Sequence, residues 1–241
     1  GIATDHVIES FRNDLYGGYK DGSGLEPEIT SQFPILEQVL QAAGFCVWPM
    51  VEFEADDGLG AAAAKAAALP EVDQAIICTP DKDLAQCVRD DERIVQYDRR
   101  KRTWYDREAV IEKFGVPPAS IPDYLALVGD SADGFPGLPG WGAKSSSTVL
   151  AEYGHIEDIP AGADDWAVKV RGGGKLARTL QENLELALLF RRIATIELDA
   201  PTFGDIDELR WTGPAPDVAE VLASVDAENT LDRINRLAAQ R

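Results

Sequence analysis

The sequence predicts an α/β fold with a mostly parallel central sheet flanked by helices, followed by a helical region. Two observations predict it. Short apolar runs alternate with amphipathic stretches up to about residue 115, which is the order that parallel βα units produce. Beyond residue 120 the apolar residues recur at helical spacing alone. We therefore place an α/β domain at 1–119 and a helical region at 120–241.

Each predicted element has a local signal. The predicted strands are apolar runs bounded by turn residues, at 1–4, 46–48, 74–79, 93–97 and 103–105, with an extended segment at 195–198. The predicted helices have an apolar face, an alanine run or a cap, at 30–44, 56–68, 84–88, 106–115, 120–128, 143–153, 176–193, 216–224 and 227–238. In the helix at 30–44, the apolar face comprises Ile35, Leu36, Val39 and Leu40.

Composition limits the classes of function. The net charge of −19 argues against a protein that coats nucleic acid by bulk electrostatics, so any DNA contact must come from local basic patches. The three cysteines lack Cys-x-x-Cys spacing and indicate a reducing cytoplasm without a zinc site. No apolar run reaches membrane-spanning length, and no signal-peptide pattern opens the chain. We expect a cytoplasmic protein with no membrane partner and no small-molecule cofactor.

Acidic side chains recur where predicted strands end and helices begin. Each could serve only as a helix cap, but such places converge at one edge of a parallel sheet. Clustered carboxylates repel one another unless divalent cations neutralise them, and oxygen-only ligands favour Mg²⁺ or Mn²⁺. Two such ions about 4 Å apart can catalyse phosphodiester hydrolysis. The predicted metal ligands are Asp5, Glu54, Asp56, Asp57, Asp81, Asp83, Asp130 and Asp133.

Two further segments are candidates for phosphate contact. A Gly-rich turn at 137–145 precedes a helix, so its backbone N–H groups can approach a phosphate. The segment 98–102 contains four basic residues at the tip of the predicted hairpin. Such a tip is more often a solvated turn than a nucleic-acid contact, and both interpretations remain open.

These motifs together resemble the bacterial 5′–3′ exonuclease and flap endonuclease family, which includes the 5′-nuclease domain of DNA polymerase I. The similarity extends in family order from Asp5 to about Asp199. The matching motifs are Ser10-Phe11-Arg12 with Tyr19-Lys20, Glu54-Ala55-Asp56-Asp57, Thr79-Pro80-Asp81-Lys82-Asp83-Leu84-Ala85-Gln86, and Gly129-Asp130-Ser131-Ala132-Asp133 through Gly137 to Ser145.

The resemblance implies roles for particular residues. It implies a PIN-like or Rossmann-like sheet, an arch at about 10–30 and a C-terminal helix-three-turn-helix. The eight acids match positions that bind two metal ions, and Lys20 and Arg12 match basic arch residues that steer the scissile phosphate. Tyr19 matches an arch aromatic that stacks against a base. The turn that grips duplex backbone, usually with a bound K⁺, corresponds to Gly137, Gly140, Gly142, Lys144 and Ser145.

The sequence departs from the family pattern in three places. The family begins with a strand bearing a further metal-binding Asp, whereas this chain starts after it, so we expect a fragment cut at its N-terminus. Ser23 stands where the family often has Arg, and Gly134 stands where it often has Asn. The leading hypothesis is a Mg²⁺-dependent nuclease acting on DNA 5′ ends and flaps. The alternatives are a non-catalytic DNA-junction binding module of the same fold and a metal-dependent ribonuclease.

Overall fold

The computed structural model describes residues 1–240, which form two compact units. The first unit comprises 1–10, 21–62 and the chain from Leu198 onward; the second comprises 11–20 and 63–197. In chain order the helices are α1 (Phe11–Leu15), α2 (Pro27–Thr30), α3 (Phe33–Ala42), α4 (Ala55–Ala67), α5 (Arg107–Phe114), α6 (Ile121–Val128), α7 (Ala143–Tyr153), α8 (Gly173–Glu182), α9 (Leu184–Ala194), α10 (Val218–Ala223) and α11 (Leu231–Ala238).

The first unit contains a two-stranded parallel sheet. Strand β1 (Ile2–Asp5) pairs with β2 (Val47–Met50), so that Asp5 lies opposite Met50 at the carboxyl end of both strands. Helix α10 packs against α3, where Ala42, Val221 and Leu222 share a small apolar core. This packing supports the strand ends from which the acids of this unit project.

The second unit contains a mixed three-stranded sheet and the larger hydrophobic core. Strand β3 (Ala75–Ile77) is parallel to β4 (Ile94–Asp98), which is antiparallel to β5 (Thr103–Tyr105). Helices α6 and α9 pack closely together in the core. Strand β4 is therefore central in this sheet. It pairs with β3 on one side and with β5, its hairpin partner, on the other.

Several element predictions are confirmed, with clear physical causes. Asp106 caps α5 by accepting a hydrogen bond from the Ala109 N–H at 2.8 Å. Gly115 ends the same helix with a φ of 74°, a left-handed conformation that glycine adopts without a Cβ penalty. The α/β class with its parallel strand pairs is likewise as predicted. None of the helices in residues 1–240 is both long and apolar enough to cross a bilayer.

Three details of the sequence prediction are wrong. The predicted helix 176–193 is two helices, because Asn183 leaves helical geometry and its side-chain amide bonds to the Thr179 carbonyl at 2.8 Å. On α3, Ile35 and Leu36 are exposed, although the sequence predicts them on the apolar face. Glu37 is buried instead, because its carboxylate bonds to the Thr4 hydroxyl on β1 and to the His6 ring just after β1. Strand β3 is short and only partly buried, with Ile76 exposed.

Candidate metal centre

Three of the predicted ligands come together in the second unit. Asp83, Asp130 and Asp133 each offer a carboxylate oxygen, and these oxygens all lie within 4.8 Å of one another. Asp83 and Asp130 are buried and Asp133 is partly buried. Asp81 lies outside this group of three and is exposed. We call Asp83, Asp130 and Asp133 the carboxylate group.

Strand order positions Asp83. The segment after β3 turns sharply, because the Asp81 N–H donates to the Thr79 hydroxyl oxygen and the Asp83 N–H donates to the Asp81 carboxylate at 3.0 Å. Gln96 on the neighbouring β4 is buried and donates its side-chain amide to the Thr79 carbonyl at 3.1 Å and to the Asp81 carbonyl. The Gln96 side chain on β4 thus holds the turn after β3 that leads to buried Asp83.

A closed turn after α6 positions Asp130 and Asp133. The Asp130 N–H donates to the Phe135 carbonyl at 2.8 Å, and the Phe135 N–H donates back at 3.1 Å. Phe135 is buried in the core and fixes the turn to the helices beneath it. The Ala132 N–H also donates to the Asp130 carboxylate at 3.0 Å. The two acids are therefore held by main-chain geometry rather than by flexible side chains alone.

Two lysines face the carboxylate group. The Lys20 ammonium donates to Asp133 Oδ1 at 2.8 Å, and the Lys20 N–H donates to the Asp133 carbonyl at 2.9 Å. The Lys82 ammonium contacts Asp130 Oδ2 and lies 4.0 Å from Asp83 Oδ1. Both lysine side chains remain about a third exposed, at 33% and 38%. Cations thus offset part of the acidic charge while remaining accessible from solvent.

The electrostatics of Asp83 fit a cation-binding carboxylate. Burial raises the pKa of Asp83 well above its ordinary value, and repulsion from Asp81, Asp133 and Asp130 adds to that rise against the opposing effect of Lys82. Asp83 Oδ1 is buried and accepts no hydrogen bond among the described residues. A buried carboxylate oxygen of this kind is costly unless a cation or donor satisfies it. Because the donor set is oxygen alone, the group fits a hard divalent cation such as Mg²⁺ or Mn²⁺.

The acids of the first unit surround the start of α4. Asp5 accepts a hydrogen bond from the Ala55 N–H at 2.7 Å, and Asp57 accepts one from the Glu54 N–H at 2.9 Å. Buried Glu54 accepts from the Ser10 hydroxyl at 2.7 Å, and Asp56 is partly buried on the first turn of the helix. The bonds accepted by Asp5 and Asp57 cap the helix, whereas the bond between Ser10 and Glu54 joins two side chains. Metal binding by the four acids stays a prediction.

Two residues predicted to contact substrate are buried in the second unit. Arg12 is only 3% exposed, and its guanidinium donates to the Ile193 carbonyl at 2.7 Å and the Thr195 carbonyl at 3.0 Å. Tyr19 is 6% exposed and belongs to the main hydrophobic core. Both side chains serve internal packing, because burying the ring and pairing the guanidinium stabilises the fold of the second unit. Substrate contact by Arg12 and Tyr19 stays a prediction.

The predicted phosphate-gripping turn is anchored by its apolar residues. Leu138 and Trp141 are buried, and the Trp141 indole N–H donates to the Leu176 carbonyl at 3.2 Å. Ser145 exchanges hydrogen bonds with the backbone of Gly142, which caps α7. Gly137 is buried, whereas Gly140 and Lys144 are exposed ahead of α7. DNA contact by Gly137, Gly140, Gly142, Lys144 and Ser145 stays a prediction.

Sequence reasoning assigned no role to two residues that organise the centre. Lys82 stands between Asp81 and Asp83 in the motif, and its position among acids was an available signal of charge compensation. Gln96 is the other, a buried amide in the middle of β4. A polar residue in the middle of a buried strand is a general indication of a specific hydrogen-bonding task.

Comparison with known proteins gives matches along most of the chain. A family model described as "5′-3′ exonuclease, N-terminal resolvase-like domain" matches residues 1–115, and one described as "5′-3′ exonuclease, C-terminal SAM fold" matches residues 116–217. A 5′-3′ exonuclease of Aquifex aeolicus is 31% identical, with the alignment covering all of this chain and 80% of that protein. DNA polymerase I of Bacillus caldotenax is 34% identical over 88% of this chain.

The chain spans only about a quarter of the length of the DNA polymerase I relatives. The alignment covers 24% of the Bacillus caldotenax protein and 22% of DNA polymerase I from Mycobacterium leprae. Among solved structures, T5 5′-exonuclease with bound zinc ions superposes with a TM-score of 0.63 at 19% identity, covering 99% of this chain and 82% of the other. The catalytic core of Rad2 in complex with DNA substrate superposes with a TM-score of 0.53 at 17% identity, covering 96% and 75%. At such identities these two likenesses concern the fold.

Proposed function

Because this chain belongs to the 5′-3′ exonuclease family, we propose that it is a divalent-metal-dependent nuclease that hydrolyses DNA phosphodiester bonds at 5′ ends and flaps. The observation that carries the proposal is the carboxylate group, with the buried, unsatisfied oxygen of Asp83 at its centre. The zinc ions bound to the structurally similar T5 5′-exonuclease and the DNA bound to Rad2 support the same assignment.

The chain's own residues supply ligands and local charge. Asp83, Asp130 and Asp133 would hold a divalent cation, and Mg²⁺ or Mn²⁺ fits their oxygen donors. Such a cation supplies Lewis-acid chemistry for phosphodiester hydrolysis when it is bound. Lys20, fixed to Asp133 by its backbone and its ammonium group, offsets negative charge on the scissile phosphate. Lys82 neutralises Asp130 and limits repulsion within the group.

The two-ion mechanism belongs to the same proposal. The second set of ligands would be Asp5, Glu54, Asp56 and Asp57, which gather around the start of α4. K⁺ at the turn 137–145, a nucleoid-associated cytoplasmic location and a monomeric state also stay predictions. Each concerns a ligand or an assembly beyond the chain itself.

The proposal is tested with a 5′-labelled DNA flap duplex incubated with and without Mg²⁺. We expect metal-dependent cleavage by the wild-type chain and a loss of at least about 100-fold in Asp130→Asn, because removing one charged ligand weakens the metal and the charge stabilisation it supplies. Asp164→Asn, an exposed acid in the same unit, is the matched control and should cleave normally.

Three results would contradict the proposal or narrow it. Binding of the flap without cleavage would favour a non-catalytic junction-binding module. Faster cleavage of an RNA flap than of the DNA flap would favour a ribonuclease. Equal activity in Asp130→Asn and the wild type would show that the carboxylate group is not needed for DNA cleavage.

A further inference from the structure

The tip of the β4–β5 hairpin is a concentrated positive patch on an acidic chain. The hairpin tip comprises Asp98, Arg99, Arg100, Lys101 and Arg102, and its four basic residues are all exposed. The whole chain has a net charge of −19, so this tip reverses the prevailing sign locally. It lies outside the carboxylate group and outside the turn 137–145.

The single acid in the tip is turned inward. Asp98 is 1% exposed, and its carboxylate accepts hydrogen bonds from the N–H groups of Arg100 at 2.9 Å and Lys101 at 3.0 Å. The Lys101 ammonium lies 3.8 Å from the same carboxylate. Arg99, Arg100 and Arg102 have no ion-pair partner among residues 1–240. Asp98 thus shapes the turn while three guanidinium groups stay available to an anion.

An exposed aromatic ring lies beside the tip. Trp104 on β5 is 53% exposed, although its ring centroid lies 4.5 Å from that of Tyr97 on β4. Strand β5 is an edge strand of its sheet. Tyr97 supports one side of the indole, and the exposed part of the indole can stack on a flat group such as an unpaired base. Guanidinium groups beside an exposed aromatic are the combination that single-stranded nucleic acid requires.

We propose that the hairpin tip and Trp104 form a binding site for single-stranded DNA, with the arginines on phosphates and the indole stacked on an unpaired base. The inference extends the proposed nuclease function, because it assigns a contact for the unpaired strand of a flap. A single strand fits better than a duplex, since duplex bases are already stacked and cannot cover an indole face. The opposite explanation is a solvated tip whose charges only keep the β5 edge from pairing with other strands.

The test measures binding of a fluorescently labelled oligo(dT) by anisotropy across a salt series, with EDTA present to prevent cleavage. The variant Arg99→Gln/Arg100→Gln removes two unpaired cations. Its control, Arg89→Gln/Arg107→Gln, removes two cations of the same unit that are ion-paired with Asp91 and Asp90. The slope of log affinity against log salt is negative, and we expect it to become shallower by about 1.4 in the first variant. Each lost phosphate contact with a single strand removes about 0.7 from its magnitude. The control should change it little.

Stacking is tested separately at Trp104. Trp104→Ala should weaken oligo(dT) binding roughly 5- to 100-fold, the range of one lost base–aromatic stack, and Trp104→Phe should restore most of it. Wild-type tryptophan fluorescence should be quenched on binding and most of the quench lost in Trp104→Phe. Of the other tryptophans, Trp48, Trp141 and Trp166 are buried, and Trp211 is half-buried in the first unit, where its indole N–H bonds to the Ala43 carbonyl. Thermal unfolding of each variant checks that the exposed substitutions leave the fold intact.

The outcomes separate this inference from the nuclease proposal. No oligo(dT) binding, a slope change equal in variant and control, or normal binding by Trp104→Ala would each overturn the site, even if the wild type cleaves flaps. An equal dependence of duplex binding on Trp104 would overturn the preference for a single strand. Binding with both signatures but without cleavage in Mg²⁺ would keep the site and refute the nuclease proposal.

Discussion

Asp83 combines charge and burial in a way that either a proton or a bound cation relieves. Its carboxylate is buried, surrounded by other acids and left with one unsatisfied oxygen. These features raise its pKa, which means that the folded chain without metal holds a proton there more tightly than the unfolded chain does. The same features that destabilise the ionised acid favour a divalent cation.

The pH dependence of this effect has a definite sign. With the folded pKa raised, the contribution of Asp83 to stability is fully present below the unfolded pKa and is lost as pH rises through the folded pKa. Asp83→Asn should therefore raise the melting temperature of the metal-free chain relative to the wild type, with a gap that opens above the unfolded pKa and widens as pH rises through the folded pKa. Thermal unfolding in EDTA measures the gap.

Metal addition should stabilise the wild type and not Asp83→Asn. Mg²⁺ or Mn²⁺ should raise the melting temperature of the wild type and have little effect on Asp83→Asn, because the ion binds the folded wild-type chain alone. Asp164→Asn should behave as the wild type in both media. A pH-independent gap, or equal stabilisation of Asp83→Asn by metal, would contradict the assignment of Asp83 as a ligand.

Arg12 should matter for stability rather than for binding of phosphate. Its guanidinium satisfies the carbonyls of Ile193 and Thr195 in the interior. Arg12→Gln should lower the free energy of unfolding by about 2–4 kcal/mol, since charged hydrogen bonds are lost and buried carbonyls left unpaired. Urea unfolding measures it, with exposed Arg178→Gln as the control. Unchanged stability with lost cleavage would instead restore the role that the sequence predicts.

The acids were easier to predict than the basic and aromatic residues near them. Carboxylates at strand ends indicate a metal centre from residue type and spacing, and Asp83, Asp130 and Asp133 are brought together as expected. Arg12 and Tyr19 occur in a glycine-punctuated segment that reads equally well as exposed or buried. Their burial depends on packing against the second unit's helical core, and such non-local packing leaves no mark in the local pattern.

The turn between α6 and α7 depends on glycines of two kinds. Gly137 has a φ of 69°, and a Cβ there would meet the Gly129 nitrogen at 2.4 Å and the Leu127 carbonyl oxygen at 2.6 Å. Gly140 also has a positive φ, of 86°, but the nearest atom to its Cβ would be a Leu176 methyl at 3.7 Å. One position therefore needs both the conformation and the space of glycine, and the other needs the conformation alone.

Alanine at these two positions should distinguish the cost of a left-handed backbone from the cost of a steric clash at the added Cβ. Gly140→Ala should cost about 1–2 kcal/mol of unfolding free energy, the cost of a left-handed alanine. Gly137→Ala should cost more, and it should also weaken Mn²⁺ binding, because the displaced turn carries Asp130 and Asp133. Urea unfolding and calorimetric Mn²⁺ titration measure the two effects. Equal losses in both variants would show that the Gly137 contacts relax freely.

Secondary structure followed local signals where those signals were strong. The alternating strands β4 and β5, the cap at Asp106 and the alanine run of α4 are found as predicted. The break at Asn183 was missed because leucines continue at helical spacing across it. Hydrophobic periodicity identifies the apolar face of a helix. It does not reveal a break at one residue, such as Asn183, whose side chain bonds to a carbonyl of the preceding turn.

The charge of the complete chain predicts how DNA binding responds to salt. With a net charge of −19, contacts to DNA must come from a few local cations such as Lys20, Lys144 and the hairpin tip. Affinity for a flap duplex in EDTA should fall with salt at a slope of about −5 or shallower. Anisotropy across a salt series measures it. A slope near −8 or steeper would reveal an extensive basic surface.

The sequence predicts the α/β class of the chain, but it does not predict the long-range contacts that define the two compact units. The family models meet between residues 115 and 116, whereas the compact units draw segments from separate parts of the chain. The predicted division between 119 and 120 stays a prediction. A change from strand-and-helix alternation to helices is visible in sequence, but the return of residues from Leu198 onward to the first unit depends on long-range contacts.

Gly134 restricts how this chain can evolve. A Cβ at that position would lie 2.2 Å from the Gly18 carbonyl oxygen and 3.3 Å from the Lys20 nitrogen, and its φ is 87°. The absence of a side chain lets segment 18–20 approach closely enough for Lys20 to bond to Asp133. A lineage that gains a side chain at 134 must first move segment 18–20 away. Because segment 18–20 carries Lys20, that movement also breaks the Lys20–Asp133 contact, so this contact and a side chain at position 134 exclude each other.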